Sequence, residues 1–243
     1  MIWTPPREWI NGRPPRDWKR VMACDVGGAT HWAFEIAAQD PWGNVVFYDE
    51  LSAIAEMDWL AEKLKPKLLD EHGEPYYWIA KVIDYENKLA AEDFRRRGVI
   101  FTNAQKMGKA SSINRLSAYL STNPKHHFPE WHPRAGQPNA PRLYVTSGCP
   151  VLIHEIPQQR WKEEVGSDGR LKNEADRSVR HDCWDAAIYI VRELPDPATL
   201  PAIPAPDARH PLSKQSECYY EMVRMKEREA VASGKNRRVI ASV

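Results

Sequence analysis

Four aspartates carry the chemistry this sequence could do. Asp25 closes the apolar run Val21-Met22-Ala23-Cys24 and stands just ahead of the glycine pair Gly27-Gly28. Asp84 closes a second apolar run, Tyr76–Ile83. Asp182 and Asp185 lie at i and i+3 in HDCWDAAIYIVREL, which puts both on one helix face with Tyr189 a turn further on. A carboxylate delivered by a buried strand is costly unless it is paired or binds a metal. Each acid also has a plainer reading, Asp25 as a turn residue and Asp84 and Asp182 as helix caps. Four acids in this order weaken that reading taken jointly. Hard carboxylate donors without a CxxC or HxxxH pattern favour Mg²⁺ or Mn²⁺ over zinc. A pair of such ions can hydrolyse a phosphodiester, one generating the attacking hydroxide and the other stabilising the leaving oxygen.

The elements that must position these acids follow from apolar periodicity and turn residues. Strands are expected at Val21–Asp25, Trp32–Ala38 and Val45–Asp49, the last two joined by the turn Asp40-Pro41-Trp42-Gly43-Asn44. A helix over Ser52–Leu69 follows, then strand Tyr76–Ile83, helix Lys88–Arg97 stopped by Gly98, strand Val99–Thr102 and helix Ser112–Leu120. Residues 121–142 read as loop, Arg142–Thr146 as strand and Val151–Trp161 as a helix weakened by Pro157. A polar stretch, 163–179, precedes the strongest helix, His181–Glu193, which Pro195 stops. Three antiparallel strands followed by α/β crossovers make a mixed sheet flanked by helices. If the strands before Asp25 and Asp84 are parallel and central, both acids share the sheet edge where open α/β sheets place ligands. The expected organisation is an irregular Pro/Trp/Arg-rich lead-in at 1–19, one domain at 20–194, a Pro/Ala linker at 195–212 and a charged tail at 213–243.

Composition limits the alternatives. With 34 Lys+Arg against 33 Asp+Glu, net charge +1, any nucleic-acid role must rest on a local site rather than on bulk charge. Four widely spaced cysteines fit a reduced, intracellular protein better than a disulfide scaffold or a zinc knuckle. No apolar run reaches the ~20 residues of a membrane span, and MIWTPPREW is not a signal peptide.

The pieces DWKRVMACDVGGATHWAFEIAAQDPWGNVVFYDE, VIDYENKLAAEDFRRRGVIFTNAQKMGKASSINRLSAYL, PRLYVTSGCPVLIHEI and RHDCWDAAIYIVREL, in that order, resemble the C-terminal nuclease domain of phage terminase large subunits. The resemblance covers roughly residues 17–193. It implies an RNase H-like, RuvC-related fold and a metal-dependent endonuclease that cuts concatemeric viral DNA during packaging. It assigns Asp25, Asp84, Asp182 and Asp185 to a site for two Mg²⁺ or Mn²⁺ ions, without ranking Asp182 against Asp185. Family partners would be double-stranded DNA, a terminase ATPase domain or subunit, the small terminase subunit and the portal, in the host cytoplasm and with no membrane. No GxxxxGK[ST] occurs, so the motor is expected elsewhere.

Other residues have both a sharp and a plain reading. Arg95, Arg96, Arg97, Lys106 and Lys109 are candidate phosphate contacts or a solvated helix end; Lys235, Arg237 and Arg238 belong to DNA, an acidic partner or a simple tail. Glu50 is either a neighbour of the metals or, as expected, an edge-strand surface acid, and His126, His127 and His132 either a metal cluster or, as expected, surface histidines on a Pro-rich loop. Three rival functions remain: a RuvC-like junction resolvase or other RNase H-like nuclease, an actin- or sugar-kinase-like ATPase suggested by Asp-Val-Gly-Gly-Ala-Thr, and a non-catalytic packaging module.

Overall fold

A computed structural model of the chain describes residues 2–3, 5–6, 9, 12–27, 31–84, 86–159 and 181–203. The polar stretch 163–179, Gly28 and the tail 213–243 with its basic cluster lie outside the described residues. The chain forms two compact units, 1–123 with 141–202 and 124–140 with 203–243.

The strands are β1 (Ile2–Trp3), β2 (Lys19–Gly27), β3 (His31–Gln39), β4 (Val45–Ile54), β5 (Trp78–Ile83), β6 (Thr102–Asn103), β7 (Asn123–His127), β8 (Pro138–Ala140) and β9 (Leu143–Thr146). The first unit is built on seven of them, in the sheet order β1-β9-β4-β3-β2-β5-β6. Only β3 runs against the others: β2 and β4 both pair with it antiparallel, while β2–β5, β5–β6, β4–β9 and β1–β9 are parallel. Helices α1 (Met57–Leu64), α2 (Lys88–Arg96), α3 (Lys109–Leu120), α4 (Pro150–Glu155) and α5 (Asp182–Glu193) complete the unit. The mixed sheet with flanking helices is the expected α/β class. Among the described residues no helix is long and apolar enough to cross a membrane.

The central strands are apolar at nearly every position because both faces are covered. Val21, Ala23, Ala33 and Ala37 belong to one core cluster with Ala186, Ala187 and Ile190 of α5. The other face of β3 turns Phe34 into an aromatic cluster with Trp32, Phe94 and Phe101, with ring centroids 5.2–6.3 Å apart. Alanines on both sides of the helix–sheet contact let α5 lie close to β2 and β3, where short aspartate side chains can meet. Apart from Asp185, every residue of α5 from Cys183 to Arg192 is buried, as an all-round apolar helix demands.

Several boundaries differ from the sequence reading. β4 continues to Ile54 because its pairing with β3 runs on to His31↔Ile54, past a bulge at Ile36/Ala37, so Ser52 is in a strand and the helix starts only at Met57. The helix stops at Leu64 and passes into a 3-10 turn, Lys65–Leu68, with a proline in its first turn. Val99–Thr102 contributes only Thr102–Asn103 as strand, paired to Val82 and Ile83. Pro150 starts α4, and a 3-10 turn, Ile156–Gln158, ends it at the expected weak point near Pro157. The lead-in contains a strand, β1, and residues before β2 are pinned by the buried Arg20 guanidinium, which donates to Pro14 O at 2.7 Å and Pro15 O at 2.9 Å and stacks 4.3 Å from the Tyr76 ring. In the linker, Pro197–Thr199 forms a 3-10 turn and Leu200 packs on the core.

In the second unit, the expected loop at 121–142 contains a two-stranded sheet, β7 with β8. His126 and His132 are buried there rather than surface residues. The His132 ring stacks on Phe128 at 4.7 Å, and burial pushes its pKa down to about 4.

Candidate functional site

Strand register brings the first two acids together. β2 and β5 run parallel with Cys24 opposite Ile83, so Asp25 and Asp84 are the next residue on each of two neighbouring strands. Asp25 lies on the same face as Val21 and Ala23, the face that α5 covers. α5 then supplies Asp182 and Asp185 from its first turn, where unpaired backbone N–H groups favour negative charge. His181 is the N-cap residue of α5, and Asn87 is that of α2. The helix-cap readings of Asp182 and Asp84 therefore do not hold.

Burial pushes the Asp25 carboxyl up to about 7, the nearby charges of Asp185, Asp182 and Asp84 add to this, and the Tyr189 hydroxyl opposes it. Tyr189 is itself raised by burial and then by Asp25, Asp84 and Asp185. The structure thus brings the other three sequence-predicted acids close enough to Asp25 for their charges to act on it. An open cleft of about 400 Å³ borders Asp84 and Tyr189, lined also by Lys106, Lys109 and Arg192 among others.

Basic side chains hold the α5 acids. Lys109 Nζ, at the start of α3, is 3.0 Å from both oxygens of Asp185. His181 Nε2 is 3.7 Å from the same carboxylate. His31 Nδ1 lies 2.9 Å from Asp182 Oδ2, and its Nε2 lies 3.2 Å from Ser52 Oγ. With its proton on Nδ1, the imidazole donates to Asp182 and accepts from the serine hydroxyl. Sequence reasoning missed His31 and Ser52; the available signal was His31 opening the strand that follows the glycine turn, opposite Gly27.

The candidate phosphate contacts separate. Lys106 and Lys109 border the cleft. Arg95 pairs with Glu92 at 2.8 Å, Arg96 lies 3.5 Å from Glu92 and 3.8 Å from Asp93, and Arg97 pairs with Asp58. These three make up a self-neutralised helix end.

Glu50 is no edge-strand acid. β4 lies between β3 and β9, and Glu50 accepts Val151 N–H at 2.8 Å and Leu152 N–H at 3.1 Å from the start of α4. Among the described residues, the set of three metal-ligand side chains whose donor atoms all lie within 4.8 Å of one another is Glu35, Glu50 and Cys149, and not the aspartates. A two-ion site spreads its ligands more widely than a one-ion site, because the ions themselves stand about 3.5–4 Å apart.

No protein-family model matches the chain. No curated protein matches its sequence either. Solved structures do match its fold. The large terminase of a thermophilic bacteriophage aligns at TM-score 0.55 and 16% identity over 78% of this chain and 41% of its own. The nuclease domain of the P22 large terminase aligns at TM-score 0.53 and 12% identity, covering 80% of this chain and 88% of its own. The nuclease domain of the g2p large terminase of bacteriophage SPP1, solved with bound Mn, aligns at TM-score 0.52 and 12% identity over 78% and 93%. The chain spans about two fifths of the thermophilic phage protein and nearly all of each isolated nuclease domain. Its fold is that of the RNase H-like nuclease domains of phage large terminases.

Proposed function

We propose that the chain is a divalent-metal-dependent DNA endonuclease of viral genome packaging, hydrolysing phosphodiester bonds of concatemeric double-stranded DNA. The observation that carries this reading is the convergence of Asp25, Asp84, Asp182 and Asp185 at one end of α5, on the fold that terminase nuclease domains use. The donor set suits the group the reading requires: oxygen ligands only, burial and neighbouring acids that keep Asp25 protonated to about pH 7, and an open cleft at Asp84. That is the environment of a hard cation such as Mg²⁺ or Mn²⁺, and the SPP1 nuclease domain was solved with Mn.

Asp25 and Asp84 would hold ions from the sheet, and Asp185 and Asp182 from the helix. Two divalent ions bound there supply Lewis-acid activation of the attacking water and stabilisation of the leaving oxygen. The chain's own residues do the rest. Asp25, which burial and its acidic neighbours keep protonated to about pH 7, would have to be ionised to hold an ion there. The Tyr189 hydroxyl beside Asp25 favours its ionised form. His31, fixed by Ser52, orients Asp182. Lys109, which neutralises Asp185, lies with Lys106 at the cleft wall, where a DNA phosphate would pass. ATP-driven translocation, the small subunit and the portal would belong to partners in the host cytoplasm.

The test is cleavage of supercoiled plasmid with Mg²⁺ or Mn²⁺ by the wild type and by Asp25→Asn, Asp84→Asn, Asp182→Asn and Asp185→Asn. Loss of cutting in the aspartate variants with retained folding is expected. Undiminished cutting by all four removes the site assignment, and a marked preference for branched over linear duplex redirects the substrate to DNA junctions.

A further inference from the structure

A second group of ligand-type side chains lies under α5, away from the aspartate cleft. Glu35 is in β3, on the α5-facing side with Ala33 and Ala37, and is fully buried. Its cross-strand partner in β4 is Glu50. Like charges directly opposed in a sheet are destabilising. Glu155 of α4 is buried nearby and accepts Trp184 N–H from the first turn of α5 at 2.8 Å. Cys149 is buried at the N-cap position of α4, and the Cys183 thiol lies against Glu35.

The three carboxyls are not treated alike. Glu50 takes two N–H donors from the start of α4, and Glu155 takes one from α5. Neither oxygen of Glu35 has a hydrogen-bond partner among the described residues, and no lysine or arginine pairs with Glu35 or Glu50 there. An unpaired buried carboxylate costs several kcal/mol by order of magnitude, so Glu35 requires either a proton or a cation. For a cation, Cys149 is the third donor at hand. Burial raises its thiol, and the charges of Glu35 and Glu50 add to this.

We propose that Glu35, Glu50 and Cys149 form a buried site for one borderline divalent cation of the Zn²⁺ class, separate from the hard aspartate site. Their donor atoms lie within 4.8 Å of one another. Ligands on one tetrahedral zinc ion, with bonds of about 2.0–2.2 Å to oxygen and 2.3 Å to sulfur, stand about 3.3–3.7 Å apart. Closing the site therefore takes about 1 Å of side-chain rotation. A mixed thiolate–carboxylate set selects against Mg²⁺ and Ca²⁺. Binding expels the Cys149 proton and any proton held by Glu35, so occupancy rises with pH. The ion would clamp β3, β4 and α4 together beneath the helix that carries Asp182 and Asp185.

Co²⁺ titrated into the chelator-treated full chain is the probe. A thiolate-to-cobalt charge-transfer band at one equivalent, displaced by Zn²⁺, is expected. Cys149→Ser abolishes the band, Glu35→Gln weakens Co²⁺ binding by about tenfold or more, and Asp25→Asn with Asp185→Asn leaves the band intact. If Glu35→Gln does not fold, Cys149→Ser decides alone. Absence of the band, its survival in Cys149→Ser, or a Glu35→Gln variant that gains thermal stability and binds Co²⁺ as before would overturn the site in favour of a shared proton. Because the readout is the band and not cleavage, a protein inactive as a nuclease still decides the question.

Discussion

Lys109 Nζ sits 3.0 Å from both carboxylate oxygens of Asp185, the position a cation would take at that ligand. The pair joins the start of α3 to the first turn of α5, so the amine neutralises the acid whose charge helps raise Asp25. An ion at Asp185 must displace it.

Lys109→Met should therefore tighten Mn²⁺ binding while slowing cleavage. A partly exposed ion pair is worth about 0.5–1 kcal/mol, so half-saturation should fall about two- to fivefold in isothermal titration. Cleavage at saturating Mn²⁺ should drop if the released amine meets a DNA phosphate. Weaker metal binding by the methionine variant would mean that Lys109 supports the site rather than competing for it.

Asp25 gives the site a pH dependence of definite sign. It keeps its proton to about pH 7 in the fold, against a reference value of 3.8. Between those values the folded chain holds the extra proton, so metal-free stability falls as pH rises through this window and stays low above it. Asp25→Asn should thus raise the melting temperature of the metal-free protein at pH 8 and leave it nearly unchanged at pH 4. In the wild type, the Mn²⁺ concentration for half-maximal cleavage should climb about tenfold for each pH unit below 7, as one proton competes with the metal. A flat metal requirement between pH 5.5 and 7 would exclude Asp25 as a ligand.

The convergence of the acids was legible because Asp25 and Asp84 each close an apolar run and Asp182 and Asp185 open one, and the period of such runs, set by burial, survives any error in element ends. Asp25 and Asp84 become neighbours through one parallel pairing, and Asp182 and Asp185 share a face by helical spacing alone. His31 and Ser52 were not legible, because their meeting depends on β4 continuing five residues past Asp49 to pair with the start of β3. Glu35 was hidden inside an apolar strand, and Glu50 looked like an edge residue because β9, which pairs with Val45–Phe47, and the start of α4, which donates to Glu50, arrive about a hundred residues later in the chain. The buried histidines of 124–140 failed for the same reason: polarity and prolines suggested loop, while burial came from a small sheet of its own.

Gly148 fixes the turn from β9 into α4. A Cβ there would stand 2.2 Å from Tyr48 O of β4. Because that atom is backbone, the strand or the helix must move. Gly148→Ala should cost about 1–3 kcal/mol of stability, read as a lower urea midpoint, and should loosen Glu50 from Val151 and Leu152. Unchanged stability would mean that the turn opens freely and does not set the position of α4.

His31 holds Asp182 by one hydrogen bond and is itself held by Ser52. Hydrogen-bond partners behind a metal ligand typically govern about 10- to 100-fold in affinity. His31→Ala should weaken Mn²⁺ binding by about tenfold and reduce cleavage, whereas His31→Asn, whose amide nitrogen takes the place of Nδ1, should recover much of both. Ser52→Ala should cost less, because it frees the ring without removing its donor to Asp182. A general packing defect would instead lower thermal stability in all three variants and spare metal affinity in the correctly folded fraction. Equal Mn²⁺ affinity in His31→Ala and the wild type would show that Asp182 needs no such support, leaving Asp185 as the helix acid that matters.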